Sequence, residues 1–110
     1  MRLLQYDANG KIILTEPFLP GRAPPYAILS HTWGSPDDEV TLQDLYNGTG
    51  RDKEGYKKIR FCVEEAKAAG WNYSWVDTCC IDRTNSVELQ TAITSMFAWY
   101  RESQRCLVYL

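Results

Sequence analysis

Tyr26-Ala27-Ile28-Leu29-Ser30 is the stretch on which the fold turns. Its apolar residues follow one another without alternation. Upstream lies the breaker segment Pro20-Gly21-Arg22-Ala23-Pro24-Pro25, and downstream the loop-forming His31-Thr32-Trp33-Gly34-Ser35-Pro36. A strand that is apolar at every position is covered on both faces, which points to a parallel sheet under helices. Two further runs share this character, Tyr73 to Val76 and Cys106-Leu107-Val108-Tyr109-Leu110. Between the first two, apolar residues recur at three- and four-residue spacing from Tyr56 through Ile59, Cys62, Val63, Ala66 and Ala69, with Gly70 placed to stop a helix. Between the second and third, Leu89, Ala92, Ile93, Met96, Phe97 and Tyr100 form one apolar helix face. The order strand, helix, strand, helix, strand predicts an α/β domain over 26–110. We expect parallel strands near 27–30, 73–77 and 106–110, and flanking helices near 56–69 and 87–101.

Residues 1–25 read as an N-terminal β-hairpin and linker. Arg2 to Tyr6 and Ile12 to Thr15 are the strands, and Asp7-Ala8-Asn9-Gly10 supplies the turn. A helical turn is expected near Thr41 to Tyr46, followed by a polar loop from Asn47 to Lys53. A wholly apolar terminal strand with no helix after it implies a sheet left incomplete at Leu110.

One domain is all that 110 residues accommodate. The net charge of -2 gives no electrostatic reason to expect nucleic acid. The densest basic cluster, Lys53, Lys57, Lys58 and Arg60, is interleaved with Glu54 and reads as a solvated helix face. The opening residues lack the apolar run of a signal peptide, and no stretch approaches a membrane span. A cytoplasmic location is therefore expected, with the four cysteines as free thiols and the sequons at Asn47 and Asn72 coincidental.

In open α/β sheets ligands bind beyond the carboxyl ends of the strands. Two polar clusters fall there. Ser30, His31, Trp33 and Gly34 follow the first parallel strand, and Asp77, Thr78, Cys79 and Asp82 follow the second. These are the candidate ligand-binding residues, expected at one end of the sheet in one pocket. The competing reading is that they satisfy turn and helix-end backbone groups. A thiol nucleophile would need His31, the single histidine, beside Cys79 or Cys80. No third orienting group is identifiable, and buried cysteine is ordinarily a small hydrophobe. No catalytic residue is assigned. The spacing of Cys62, Cys79, Cys80 and Cys106 does not suit a metal site. Asn85 and Glu88 fit a helix cap, so Glu88 is given a structural role. No glycine-rich phosphate loop is present.

The same clusters carry a family resemblance. Tyr26 to Gly34 resembles the opening block of the fungal heterokaryon-incompatibility (HET) domain, and Trp75-Val76-Asp77-Thr78-Cys79-Cys80-Ile81-Asp82 resembles its second block. Glu39 to Leu45, Gly55 to Ile59, Glu88 to Ile93, Met96 to Tyr100 and Cys106 to Leu110 continue the likeness along the chain. The start Met1-Arg2-Leu3-Leu4 is similar to incompatibility proteins in which HET precedes a NACHT domain and WD repeats.

The resemblance implies self/non-self recognition and programmed cell death. It also implies a TIR-like, flavodoxin-like sheet, and partners among HET or NACHT-type incompatibility proteins, with self-assembly. No cofactor is implied. NAD would be a substrate of the complete domain in the alternative reading, a TIR-like NAD glycohydrolase. The family block that corresponds to the catalytic glutamate of TIR enzymes would lie downstream of Leu110. Residues 1–110 alone are accordingly expected neither to kill cells nor to cleave NAD.

Overall fold

A computed structural model describes residues 1–109. Two short strands, β1 (Leu4–Tyr6) and β2 (Ile12–Leu14), form the expected hairpin. Its turn is fixed by the Asp7 carboxylate, whose Oδ1 accepts from the backbone N–H of Asn9 at 2.8 Å and of Lys11 at 2.9 Å. The core strands are β3 (Ala27–His31), β4 (Ser74–Trp75) and β5 (Arg105–Tyr109), all mutually parallel through β3. Helix α1 (Leu42–Asn47) precedes α2 (Glu54–Ala68), and α3 (Ser86–Glu102) joins β4 to β5.

The five strands make one mixed sheet in the order β2-β1-β4-β3-β5. The hairpin does more than precede the core. Leu4 pairs antiparallel with Ser74, so the hairpin extends the sheet beyond β4. Within the parallel set, the chain crosses from β3 to β4 on one side and from β4 back past β3 to β5 on the other. Right-handed crossovers in opposite directions place α2 and α3 on opposite faces. The register agrees. Trp75, Ile28 and Cys106 are aligned across the sheet and share a face, and Trp75 packs edge-on against Trp99 and Tyr100 of α3. Tyr109 points the other way and meets Phe61 of α2.

Local chemistry sets the helix ends. Thr41 and Asp44 form a reciprocal capping box at α1, so Thr41 is the cap and not the first helical residue. At the end of α2, Trp71 N–H donates to the Ala66 carbonyl at 2.8 Å across Gly70, whose φ of +94° closes the helix. Strand β4 is shorter than the expected 73–77. The Val76 carbonyl has already turned to accept from the N–H groups of Cys79 and Cys80. The expected third strand included Leu110, which lies outside the described residues.

One expectation fails on α3. Leu89, Met96, Trp99 and Tyr100 pack on the core and Ala92 is buried, but Ile93 is 57% and Phe97 76% exposed. The apolar arc of α3 is wider than the strip of sheet it covers. On that same face of β5, Cys106 and Val108 are also exposed. The core itself centres on Trp75, with Leu3, Leu4, Ile28, Leu29, Ile59, Val76, Cys62 and Cys79 fully buried around it.

Candidate functional site

At the carboxyl end of the parallel strands the His31 imidazole and the Asp77 carboxylate meet, Nε2 to Oδ1 at 2.8 Å. Strand β3 delivers His31 on the α2 face, while the turn after β4 delivers Asp77. The other carboxylate oxygen of Asp77 accepts from the Trp33 indole Nε1–H at 3.0 Å. Trp33 lies parallel to His31, ring centroids 6.4 Å apart and planes within 7°. Arg83 closes the outer side: its guanidinium sits 4.2 Å over the Trp33 ring and donates to the Asp77 backbone carbonyl. The result is a cluster in which the imidazole and indole are held by the Asp77 carboxylate and the guanidinium by the Asp77 backbone carbonyl.

The inner side of His31 is occupied as well. Lys58 of α2 approaches Nδ1 at 3.3 Å and also donates to the Thr32 carbonyl at 2.7 Å. It forms an ion pair with Glu39 at 3.2 Å, a carboxylate that is itself buried. Lys58 has only protons to offer, so Nδ1 accepts from it, and Nε2 carries the proton donated to Asp77. Both ring nitrogens of His31 are thus engaged, and its side chain is 2% exposed. The imidazole organises the strand end and is not open to act as a base.

The remaining predicted residues are dispersed. Ser30 is on β3 but faces α3. Gly34 is exposed, and nothing stands within 4 Å of where a Cβ would project. Thr78 is buried in the turn. Asp82 caps its own turn, accepting from the Thr84 hydroxyl at 2.6 Å and the Gln43 amide at 3.1 Å. The Thr84 bonds hold its carboxyl below the ordinary range.

Cys79 lies in the core with its thiol toward the Val76 carbonyl. Burial, reinforced by the adjacent Cys80, pushes that thiol well above its ordinary value, and burial raises Cys62 to about 12. Buried neutral thiols do not serve as nucleophiles. None of the five principal cavities among the described residues is lined by His31, Trp33, Asp77 or Cys79. At the strand end the His31 and Asp77 side chains are engaged by each other, by Trp33 and by Lys58.

Asn85 caps α3 by accepting from Glu88 N–H at 3.1 Å. The Glu88 carboxylate does not turn back to Asn85. It accepts from Asp82 N–H and forms an ion pair with Arg2 at 2.8 Å, tying the N-terminal segment to the second loop.

Sequence reasoning missed Glu39, Lys58 and Arg83. Lys58 carried a usable signal, since it stands one and two helical turns before the buried Cys62 and Ala66 and so belongs to the inner face. The basic cluster is not a uniform solvated face. Lys53 bonds Asp44 and Lys58 bonds Glu39, while Lys57 alone pairs on the surface with Glu54.

No solved structure matches this chain. In sequence it is 54% identical, over all 110 residues, to the vegetative incompatibility protein HET-E-1 of Podospora anserina, of which it spans 8%. The family described as heterokaryon incompatibility protein (HET) matches residues 26–110, from the strand that carries His31 to the edge strand β5. The chain belongs to the heterokaryon-incompatibility (HET) family.

Proposed function

We propose that this HET-family chain is a cytoplasmic signalling module that turns self/non-self mismatch between fused fungal cells into programmed cell death, and that it acts by assembly with itself and with HET or NACHT-type incompatibility proteins. The observation that carries the reading is a set of exposed apolar side chains on α3 and β5. Ile93 and Phe97 of α3 and Val108 of β5 are each more than half exposed, and among the described residues β5 is the last strand on its side of the sheet. Large apolar side chains contribute about 1.5–3 kcal/mol each when buried. A sheet edge beside such a patch is a template for association. Light scattering of the purified chain across a concentration series tests this. Self-association that Phe97→Asp and Val108→Asp each abolish is expected. A monomer at every concentration would overturn assembly through these side chains.

A second reading is TIR-like NAD cleavage by the complete domain. It is favoured by His31, which ends β3 and so borders the point where the strand order reverses, between β3 and β5, which is where α/β sheets receive nucleotides. In this reading Arg83 and Trp33 swing away to admit the ligand. Nicotinamide release from NAD, by this chain beside one extended through the downstream glutamate block, decides it. Release from the extended protein alone is expected, and release from neither removes the reading.

A further inference from the structure

On the side of the fold where the hairpin turn meets α2 there is an open cleft of about 510 Å³. Lys11 of the turn, Arg51 of the loop before α2 and Arg60 of α2 converge on it, with Tyr6, Tyr56 and Glu64 completing the wall. Among the described residues, the lysine and arginine side chains in ion pairs with carboxylates are Arg2, Lys53, Lys57 and Lys58. The three lysine and arginine side chains of the cleft are in none of these pairs. Their positions are nevertheless set by the fold. The Asp7 bonds hold the turn that presents Lys11, and Lys11 Nζ reaches to 3.8 Å from the Cβ direction of Gly48, alongside the loop of Arg51. Gly50, at φ +80°, turns the chain immediately before Arg51. Arg60 rests over the Tyr56 ring at 5.6 Å, which leaves the edge of its guanidinium free to donate.

We propose that this cleft binds a compact polyphosphate anion, a small molecule carrying several clustered phosphate charges. Three cations face one carboxylate there, in a chain whose net charge is -2. The local excess is therefore opposite in sign to the protein as a whole. Two arginine forks and a lysine match phosphate oxygens, which accept several charge-assisted bonds at once. The hydroxyls of Tyr6 and Tyr56 add donors of the same polarity. A singly charged anion would leave most of these donors unused. The lining shares no residue with the strand-end cluster, so this site stands apart from both readings of that cluster.

Titration calorimetry of the purified chain with inorganic tripolyphosphate, ATP and inositol hexakisphosphate tests the proposal. Binding that weakens with added salt is expected, and a loss of about tenfold or more in the double variant Lys11→Glu/Arg60→Glu. Both side chains are exposed, and circular dichroism checks that the variant keeps its fold. Equal affinity for tripolyphosphate and ATP would identify the phosphate chain as the ligand. Tighter ATP binding that Tyr56→Leu removes would identify a nucleotide. No binding of any of the three, or affinities unchanged in a folded double variant, would overturn the site.

Discussion

The Asp77 carboxylate holds the His31 imidazole at 2.8 Å with one oxygen and the Trp33 indole at 3.0 Å with the other. Its removal strands the buried His31 donor and releases the half-exposed Trp33 indole. Asp77→Ala is therefore expected to lower stability by about 1–3 kcal/mol. Denaturant unfolding reads this directly, and a loss within about 0.5 kcal/mol would show that the strand end is held by other contacts.

Gly55 opens α2 against the 3-10 turn Pro36–Asp38. A Cβ there would stand 2.6 Å from the Asp38 carbonyl oxygen and 2.6 Å from the Glu39 carboxylate. The first is backbone and cannot move aside cheaply. Gly55→Ala should cost roughly 1–3 kcal/mol and displace Glu39 from Lys58. Gly34→Ala, with nothing near its Cβ, serves as the neutral control. Equal melting temperatures for the two variants would contradict the packing.

Asp44 gives the domain an acid-sensitive contact. Partial burial alone would raise its carboxyl, but donors from Lys53, the Thr41 backbone and Thr49 outweigh that and hold it at about 2, against an ordinary 3.8. A depressed folded value means the stabilisation is full above the unfolded value and is lost as pH falls through the folded one. The stability advantage of the wild type over Asp44→Asn should therefore shrink between pH 3.8 and about 2. A constant difference across that window would refute the assignment.

Thiol chemistry should separate the four cysteines. Cys106 is exposed on β5, whereas Cys62, Cys79 and Cys80 are buried. Under native conditions one thiol should react rapidly with a maleimide, and all four after unfolding. Cys106→Ser should remove the fast reaction. Rapid modification of Cys79 in the native protein would show that the core opens more readily than its packing indicates.

The parallel strands and both long helices were legible because each rests on a local signal: an unbroken apolar run, a 3.6-residue period, or a glycine stop. The same periodicity misplaced Ile93 and Phe97. It reports how wide an apolar arc is, and not how much sheet lies beneath it. His31 and Asp77 could be assigned to one end of the sheet from strand order alone. Their neighbours Glu39 and Arg83 could not, because each reaches the site from a different segment and a charged residue in sequence defaults to solvent, whereas Lys58 was betrayed only by its spacing from Cys62 and Ala66. Glu88 was given a structural role at the helix cap, but its partners Arg2 and the Asp82 N–H depend on where the hairpin docks, which no short-range pattern encodes.

The placement of β3 also governs the order in which the domain can be made. Ala27 is aligned with Ser74 on one side and with Arg105 on the other. During synthesis, the central strand therefore leaves the ribosome long before either neighbour exists. The one sheet pairing available to the nascent chain early on is the hairpin, Leu4 with Leu14, and its attachment must also await Ser74. Ile28 and Leu29, fully buried in the finished fold, remain without strand partners until Trp75 and Leu107, respectively, have been made. A domain built around its first parallel strand is thus dependent on protection of that strand during translation, and slow codons placed between α2 and β5 would lengthen the period of exposure.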